Sequence, residues 1–431
     1  MKLKRVAVIF QNNIQYESFI NAVNIMINRG IVVDFYVPIN KLNNGFDTMF
    51  NDFYNKISTG PYNIYRETTD FYYDILFETY YIEQFKDLKR KYTIKYMYGL
   101  TAKSEYSFSF DINYIFDAFL CYGKMDAVCL QNYGKTFEIG NIKYLNTKLR
   151  KNNNKRKKTI LYLPTYGSNC SIDKFGKEIA SLQNQYNIIV KPHHGTEYLN
   201  NSTEKNRLQF LKDNFNEVYS SKDSLCDLMK KCDLVFSDLS GAVFDSICLE
   251  KPVIMFLVNT NSHYGEYSSL PIKFSNLGYI LTVNDQNYTN LNNIVNKALL
   301  EDYSKKQREA FSMLFCCDNH LTGVRFNNVL DLIENGCIEE DFYLIHKQAK
   351  LEISDLKQNY SDIQTECMAL TEKRNSLEHK CKLLEEELCY FNQKVEKLEN
   401  KINLLYNSTS WKITKPLRKL KLIFRTNRRE K

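Results

Sequence analysis

Cationic and imidazole side chains follow one apolar run of the sequence. Residues 186–190 have the pattern of a buried strand, and Lys191, His193 and His194 come directly after it. Imidazole titrates near neutral pH and lysine carries a compact positive charge, so these side chains can donate hydrogen bonds to a diphosphate or move a proton. We therefore predict a catalytic or phosphate-contacting role for His193, and phosphate contacts for Lys191 and His194.

Small polar residues follow a second apolar run, at 232–236. Ser240 and Gly241 come next and open a helical pattern over 242–249. A helix start presents backbone N–H groups and a positive dipole end, which together can hold a phosphate. The alternative is that Ser240 is an ordinary helix N-cap. Because the carboxyl ends of parallel strands share one edge of a sheet, both segments are expected to line one cleft that holds a diphosphate.

Four other residues are expected beside this cleft. Thr165 and Gly167 follow the strand pattern at 159–163. Asp238 would repel a diphosphate, so we expect it to hold its loop by hydrogen bonds. Asp245 could bind a ribose hydroxyl or favour the helix start. The sequence has neither Cys/His ligand spacing nor an acidic cluster typical of a metal site, so we expect no metal and no cofactor.

Alternation of strand and helix patterns dominates the first 340 residues. Residues 5–38 have the pattern strand, helix, strand, and a second alternation begins after a polar, basic run at 148–158. This predicts an α/β protein with two Rossmann-like lobes, the architecture called GT-B. The boundaries are an acceptor lobe at 1–147, a linker at 148–158 and a nucleotide-donor lobe at 159–340.

A heptad repeat replaces this alternation further along the chain. From Ile353 to Leu405 the a and d positions are apolar, with Arg374 as the single charged residue among them. The pattern predicts a coiled coil at 345–406, with heptads about 80 Å long at 1.5 Å per residue. We expect residues 353–405 to join copies of the chain into a dimer or trimer. A single amphipathic helix packed on the globular part is the alternative.

A basic, amphipathic tail at 407–431 ends the sequence. The net charge is +8, and residues 412–431 alone hold nine Lys or Arg and one Glu. The rest of the chain is therefore neutral, which argues against nucleic-acid binding. The single tryptophan, Trp411, and interleaved apolar residues predict that 411–431 lies on an anionic membrane surface, with a disordered tail as the alternative. Because signal-peptide and membrane-spanning patterns are missing, we expect a cytoplasmic protein, peripheral on the inner face of the cell membrane.

Several motifs in the second half resemble the CDP-glycerol glycerophosphotransferase family of teichoic-acid polymerases and primases. The segment 138–144 is similar to the family's Gly-Asn-Pro-Lys/Arg-Tyr-Asp motif, and the other similar segments are 162–165, 191–193, 233–241, 244–245 and 251–252. The resemblance implies transfer of glycerol phosphate from CDP-glycerol to a hydroxyl of a lipid-linked or surface-polymer acceptor, with release of CMP. It also implies that His193 contacts the donor phosphates or the leaving CMP, and that Ser240 and Gly241 hold the diphosphate.

One departure from the family concerns its first-lobe histidine, which acts there as the base. Tyr98 occupies that position here. A phenol has an unperturbed pKa of about 10 and is a weak base unless cations lower that value. Lys95 and Lys103 are candidates for this effect, whereas Glu105 or Asp111 could replace the base.

Two other functions remain open. A nucleotide-sugar glycosyltransferase on the same fold would release a nucleoside diphosphate, and an inactive scaffold would act through its coiled coil. The segment 410–418 resembles a tail found on many bacterial surface-polysaccharide transferases.

Overall fold

The computed structural model divides the chain into two compact units, Met1–Leu351 and Glu352–Lys431. It describes residues 2–39, 45–100, 110–145, 147, 157–238, 240–258, 279–282, 291–300, 304–338, 341–414 and 416–418.

Two parallel sheets form the framework of the first unit. Among the described residues, the first sheet has seven strands in the order β3-β2-β1-β4-β5-β6-β7. Their bounds are β1 Arg5–Ile9, β2 Val32–Tyr36, β3 Asn63–Tyr65, β4 Tyr72–Glu78, β5 Lys89–Tyr96, β6 Ala118–Cys121 and β7 Lys135–Glu138. Strands such as β1 are apolar almost throughout because helices cover both faces of a parallel sheet.

The second sheet has the same winding. Its six strands, counted in the described part of the chain, run in the order β10-β9-β8-β11-β12-β13. They are β8 Thr159–Leu163, β9 Asn187–Val190, β10 Glu217–Val218, β11 Leu234–Asp238, β12 Val253–Leu257 and β13 Tyr279–Thr282. In each sheet the strand order reverses beside the first strand, so a crevice opens there at the carboxyl ends of the strands.

Helices pack on both faces of the two sheets. Helix α1 (Asn13–Asn28) begins after β1, and its N-terminus is capped by Asn12, whose side chain accepts hydrogen bonds from Ile14 N and Gln15 N. The other helices of the first unit are α2 Phe46–Ile57, α3 Phe110–Asn113, α4 Lys124–Leu130, α5 Ile172–Ser181, α6 His194–Tyr198, α7 Ser202–Asn214, α8 Leu225–Lys231, α9 Gly241–Cys248, α10 Leu291–Leu300, α11 Ser304–Leu314 and α12 Thr322–Glu334.

Helix α12 belongs to the core of the first lobe. Phe326, Val329, Leu330 and Ile333 are buried there against side chains of β1 and α1. The chain therefore completes the second sheet and then returns to the first, although 322–334 lies within the range predicted for the donor lobe. The predicted lobe boundaries stay predictions, and residues 148–156 of the predicted linker lie outside the described residues.

A long helix continues from the first unit into the second. Helix α13 (Asp341–Asn407) has 67 residues, and the short helix α14 (Thr409–Ile413) follows it. None of the described helices combines the length and apolar character needed to cross a bilayer. The predicted α/β class with two Rossmann-like lobes and a long C-terminal helix is confirmed. Residues 419–431 of the predicted tail lie outside the described residues.

Candidate functional site

A cavity of about 390 Å³ lies at the carboxyl ends of strands from both sheets. Loops after β5, β8, β9 and β11 line it, together with the first turns of α1 and α9. Its lining includes these predicted site residues: Tyr98, Thr165, Lys191, His193, His194, Ser240, Gly241 and Asp245. Side chains from distant parts of the sequence thus meet at the two sheet edges where a diphosphate was expected.

His193 is held in one orientation by its own loop. Its Nδ1 accepts a hydrogen bond from Gly195 N at 2.9 Å, so the proton of the neutral ring lies on Nε2. The ring stacks on Tyr166, with centroids 4.6 Å apart. A Cβ on Gly195 would lie only 2.6 Å from the Tyr166 ring, so a side chain there would disturb this stack. The structure thus fixes which nitrogen of His193 can donate to a ligand.

Burial lowers the pKa of the two ionisable groups beside His193, which are those of Lys191 and His194. Lys191 Nζ donates to Ser221 O at 2.8 Å, and burial lowers the pKa of Lys191 to about 8 even though Glu17 opposes this shift. Burial also lowers the pKa of His194 to about 4, and nearby Lys191 lowers it further. His194 is therefore neutral at neutral pH, and any phosphate contact it makes is that of a neutral ring.

The loop after β11 caps helix α9 and lies close to the backbone of the first lobe. Ser240 Oγ accepts from Ala242 N at 3.3 Å and lies 3.1 Å from Ser237 Oγ. A Cβ on Gly241 would lie 3.1 Å from Leu100 O of the first lobe. The N-cap geometry considered for Ser240 is present, and its phosphate contact stays a prediction.

Asp238 is buried and does not belong to the described lining of the cavity. The carboxylate is fully buried, and its Oδ2 accepts from Thr165 N at 2.7 Å and from Ser171 N at 3.1 Å. Burial raises the pKa of Asp238 to about 7, while these hydrogen bonds oppose the shift. Asp238 thereby fixes the position of Thr165 at the cavity wall.

Gly167 is also absent from the described lining of the cavity. Its N–H donates to Glu204 Oε1 at 3.0 Å, and its carbonyl accepts from Arg207 Nη1 at 2.9 Å. Its φ of +74° lies in the left-handed region that favours glycine. Gly167 thus shapes the loop after β8 through helix α7.

Tyr98 follows β5 and lines the cavity. Its hydroxyl shares a hydrogen bond of 3.0 Å with the hydroxyl of Tyr80. Lys95 Nζ donates to Asn113 Oδ1 at 2.7 Å. Lys103 and Glu105 lie outside the described residues, as does the side chain of Asp111.

A buried ion pair, which was not predicted from the sequence, joins the two lobes. Lys143 Nζ lies 3.1 Å from Asp245 Oδ2, and the two side chains are 4% and 10% exposed. Both residues line the cavity. Lys143 lies in the motif-like segment 138–144, which was the one sequence signal that could have pointed to it.

Glu17 was also missed. It lies in the second turn of α1 and lines the cavity, and its Oε1 accepts from Asn13 Nδ2 at 2.9 Å. Burial raises the pKa of Glu17, whereas the positive charges of Lys143 and Lys191 oppose the shift. A carboxylate in this position can accept a proton. Its place just after β1, beside the strand-order reversal of the first sheet, could have indicated it.

No cluster of three or more His, Cys, Asp or Glu side chains with the geometry of a metal site occurs in the described part of the chain.

Comparison with known proteins relates one segment of the chain to a transferase family. The family described as CDP-Glycerol:Poly(glycerophosphate) glycerophosphotransferase matches residues 132–334. No curated protein sequence matches the chain.

Solved structures with a similar fold include the wall teichoic acid polymerase TagF. That structure is 16% identical, with a TM-score of 0.52, and the likeness covers 79% of this chain and 90% of that one. A TagF variant soaked with CDPG is 15% identical, with a TM-score of 0.50 and the same coverage. A putative UDP-N-acetylglucosamine 2-epimerase from Listeria monocytogenes is 14% identical, with a TM-score of 0.49, over 79% of this chain and 98% of that one. The likeness to TagF confirms the predicted GT-B architecture.

Proposed function

We propose that this chain, whose residues 132–334 match the CDP-glycerol:poly(glycerophosphate) glycerophosphotransferase family, transfers glycerol phosphate from CDP-glycerol to a hydroxyl of a lipid-linked or surface-polymer acceptor. CMP is the leaving group, and the product is a teichoic-acid-type polymer. The observation that carries the proposal is the convergence of His193, Lys191 and the Ser240 helix start on one cavity. Diphosphate binding requires such a set of donors at one place.

The reaction is an in-line transfer of a phosphoryl group. The acceptor oxygen attacks the β-phosphorus of CDP-glycerol, the bond from that phosphorus to the bridging oxygen breaks, and CMP leaves with the electron pair. Such a reaction depends mainly on positioning and on neutralising charge. The Nε2–H of His193 donates to the diphosphate as negative charge develops on the leaving CMP. Lys191 supplies positive charge, and the backbone N–H groups at the start of α9 contact the phosphate oxygens.

The proton of the acceptor hydroxyl needs a base, and Glu17 is the better candidate. It is a carboxylate, it lines the cavity, and Lys143 and Lys191 favour its ionised form. Tyr98, at the position of the family's histidine, also lines the cavity, with its hydroxyl bonded to that of Tyr80. A phenol must lose its proton before it can act as a base, which is unfavourable at neutral pH.

The pH dependence of the reaction follows from these groups. We expect kcat to rise with pH as Glu17 loses its proton and to fall again above about pH 8, where buried Lys191 becomes neutral. Glu17→Gln should remove the rising limb and lower kcat by about 10² to 10⁴. Lys191→Arg keeps its charge at high pH and should extend the plateau upwards. Steady-state rates between about pH 5 and 10, roughly the range over which carboxyl and lysine groups of this kind titrate, measure both limbs.

Tyr98→Phe is the comparison for that experiment. If Glu17 is the base, the phenylalanine variant keeps the rising limb and most of its rate. A Glu17→Gln variant as active as the unchanged chain, beside an inactive Tyr98→Phe variant, would transfer the role of base to Tyr98.

Donor turnover tests the proposed function itself. The full chain is incubated with a lipid-linked acceptor and either CDP-glycerol or a panel of nucleotide sugars, and the released nucleotide is identified. CMP from CDP-glycerol supports the proposal. Release of a nucleoside diphosphate from a nucleotide sugar would show a glycosyltransferase instead, and no turnover with any donor would favour the scaffold function.

Membrane binding through residues 411–431 is part of the proposal, because the acceptor is lipid-linked. The segment has a net charge of +8, equal to that of the whole chain, so the protein is expected to lie on the inner, anionic face of the membrane. Deleting 411–431 should reduce co-sedimentation with anionic vesicles at least about tenfold, since each juxtamembrane cation contributes about 1 kcal/mol. Neutral vesicles are the control. Equal binding of the shortened chain to anionic vesicles would place the membrane contact elsewhere.

A further inference from the structure

Helix α13 exposes a continuous apolar stripe along one side. We call this stripe the seam and define it as the a and d positions of the heptads from Ile353 to Leu405. Its d positions in the single chain are between 52% and 67% exposed: Leu356, Ile363, Leu370, Leu377, Leu384, Phe391, Leu398 and Leu405. An exposed apolar surface of this length is typical of an interaction surface.

We propose that the seam is covered by a second copy of this chain in a two-stranded, parallel, in-register coiled coil. The d positions are leucine except for Ile363 and Phe391, and the a positions include β-branched Ile353, Val395 and Ile402. Leucine at d combined with β-branched residues at a favours two strands over three or four.

Charged residues beside the seam indicate the direction of the second helix. In a parallel, in-register pair, each g residue faces the e residue five positions later in the partner helix. The charged pairs formed in this way are all of opposite sign: Glu352 with Lys357, Lys373 with Glu378, Lys380 with Glu385, and Lys394 with Glu399. An antiparallel pair would instead bring g residues against g residues, and four of the five g residues between positions 373 and 401 are lysine. Charge complementarity therefore selects the parallel arrangement.

Arg374 is the exception in the seam, at an a position. Its Nε lies 3.5 Å from Glu378 Oε1 of the same helix, which offsets part of its charge. In an in-register pair, the two copies of Arg374 face each other at the axis of the coiled coil. Their long side chains can extend outwards, each towards Glu378 of its own helix. A shifted register would place each arginine against apolar side chains. A single polar residue at an a position specifies the register in this way, at some cost in stability.

Cysteines of α13 allow a direct test of register and direction. Cys381 occupies an a position, so its two copies face each other in a parallel, in-register pair, near the Cα separation of roughly 4.4–6.8 Å that a disulfide requires. Cys389 occupies a b position on the outer side and is the matched control. The full chain with Cys367→Ser and Cys389→Ser keeps Cys381, and the chain with Cys367→Ser and Cys381→Ser keeps Cys389.

Mild oxidation of dilute protein, followed by non-reducing electrophoresis, is the readout. A chain with all three cysteines of α13 replaced by serine gives the background from the cysteines of the first unit. We expect a covalent dimer from the Cys381 chain at several times the background, and only background from the Cys389 chain. Equal yields from these two chains, or no dimer above background from either, would overturn the parallel, in-register arrangement.

Charge reversal tests the proposal by an independent measurement. Lys380→Glu with Lys394→Glu turns two attractive pairs on each side of the seam into repulsive ones, so the dissociation constant of the dimer should rise about tenfold or more at low salt. Lys382→Glu with Lys397→Glu makes the same change of net charge at outer b and c positions and should have little effect. Analytical ultracentrifugation of the full chains gives both the constant and the number of subunits.

The mass measured by ultracentrifugation also gives the number of subunits, which tests the two-stranded arrangement. Twice the mass of one chain supports the proposal, and three times the mass shows a trimer. A monomer at micromolar concentration would leave α13 as a single helix. Equal weakening by the inner and outer pairs of substitutions would show that the g and e charges do not set the direction. The inference does not depend on which donor the cavity binds.

Discussion

Replacing His193 with alanine is expected to lower the rate of CMP release from CDP-glycerol by a factor of about 10² to 10⁴. The ring is oriented by the hydrogen bond from Gly195 N to its Nδ1 and by its stack on Tyr166, so Nε2 presents a fixed donor to the diphosphate. Alanine removes the donor and the stacking partner of Tyr166. The released CMP, measured at saturating donor, reports the effect on kcat.

A second histidine provides the control for this substitution. His320 is exposed and does not belong to the described lining of the cavity, so His320→Ala should keep the original rate. Circular dichroism of both variants checks that the fold is retained. If His193→Ala released CMP at more than half the original rate, His193 would have no part in the transfer.

The largest expected effect on stability comes from the ion pair of Lys143 and Asp245. Lys143→Met would leave the carboxylate of Asp245 buried without its partner, which typically destabilises a protein by about 3 to 5 kcal/mol. Both side chains are almost fully buried, so water can replace little of the lost interaction. Urea unfolding of the full chain measures the change in the free energy of unfolding. Adding Asp245→Asn to Lys143→Met should recover much of the loss, because the unpaired charge is then gone.

Another ion pair between the lobes is the matched control. Lys222 Nζ lies 2.8 Å from Asp52 Oδ2, but the two side chains are 53% and 36% exposed. Lys222→Met should therefore cost less than about 1 kcal/mol. Comparable losses from the two lysine substitutions would mean that burial does not strengthen the Lys143 pair.

Sequence patterns were sufficient to predict the fold, and eight of the ten predicted site residues line the cavity. Apolar runs ending in small polar residues mark β9 and β11, and parallel strands bring those ends to one edge. The hydrogen bonds expected from Asp238 are present, at Thr165 N and Ser171 N. Each of these inferences needs only the order of neighbouring residues and the geometry of a parallel sheet.

Features that depend on contacts distant in sequence were not predicted. Lys143 and Asp245 are 102 positions apart, and their pairing follows from the approach of the two lobes. The neutral state of His194 depends on how deeply its ring is buried, which a loop sequence does not show. Gly167 was predicted to line the cavity. It does not belong to the described lining, and hydrogen bonds with Glu204 and Arg207 of α7 hold it in the loop after β8. Periodicity carries no information about such partners.

The return of α12 to the first lobe determines when that lobe can fold during synthesis. Its core includes Phe326, Val329 and Leu330, which the ribosome adds only after the whole second sheet has been made. Domains commonly fold as they emerge, from the N-terminus onwards. Part of the apolar surface of the N-terminal lobe therefore stays exposed to water until α12 has been translated. Synthesis of the intervening part of the chain takes roughly ten seconds or more at 5–20 residues per second. During that interval the uncovered core of the first lobe offers an apolar surface to which a chaperone can bind.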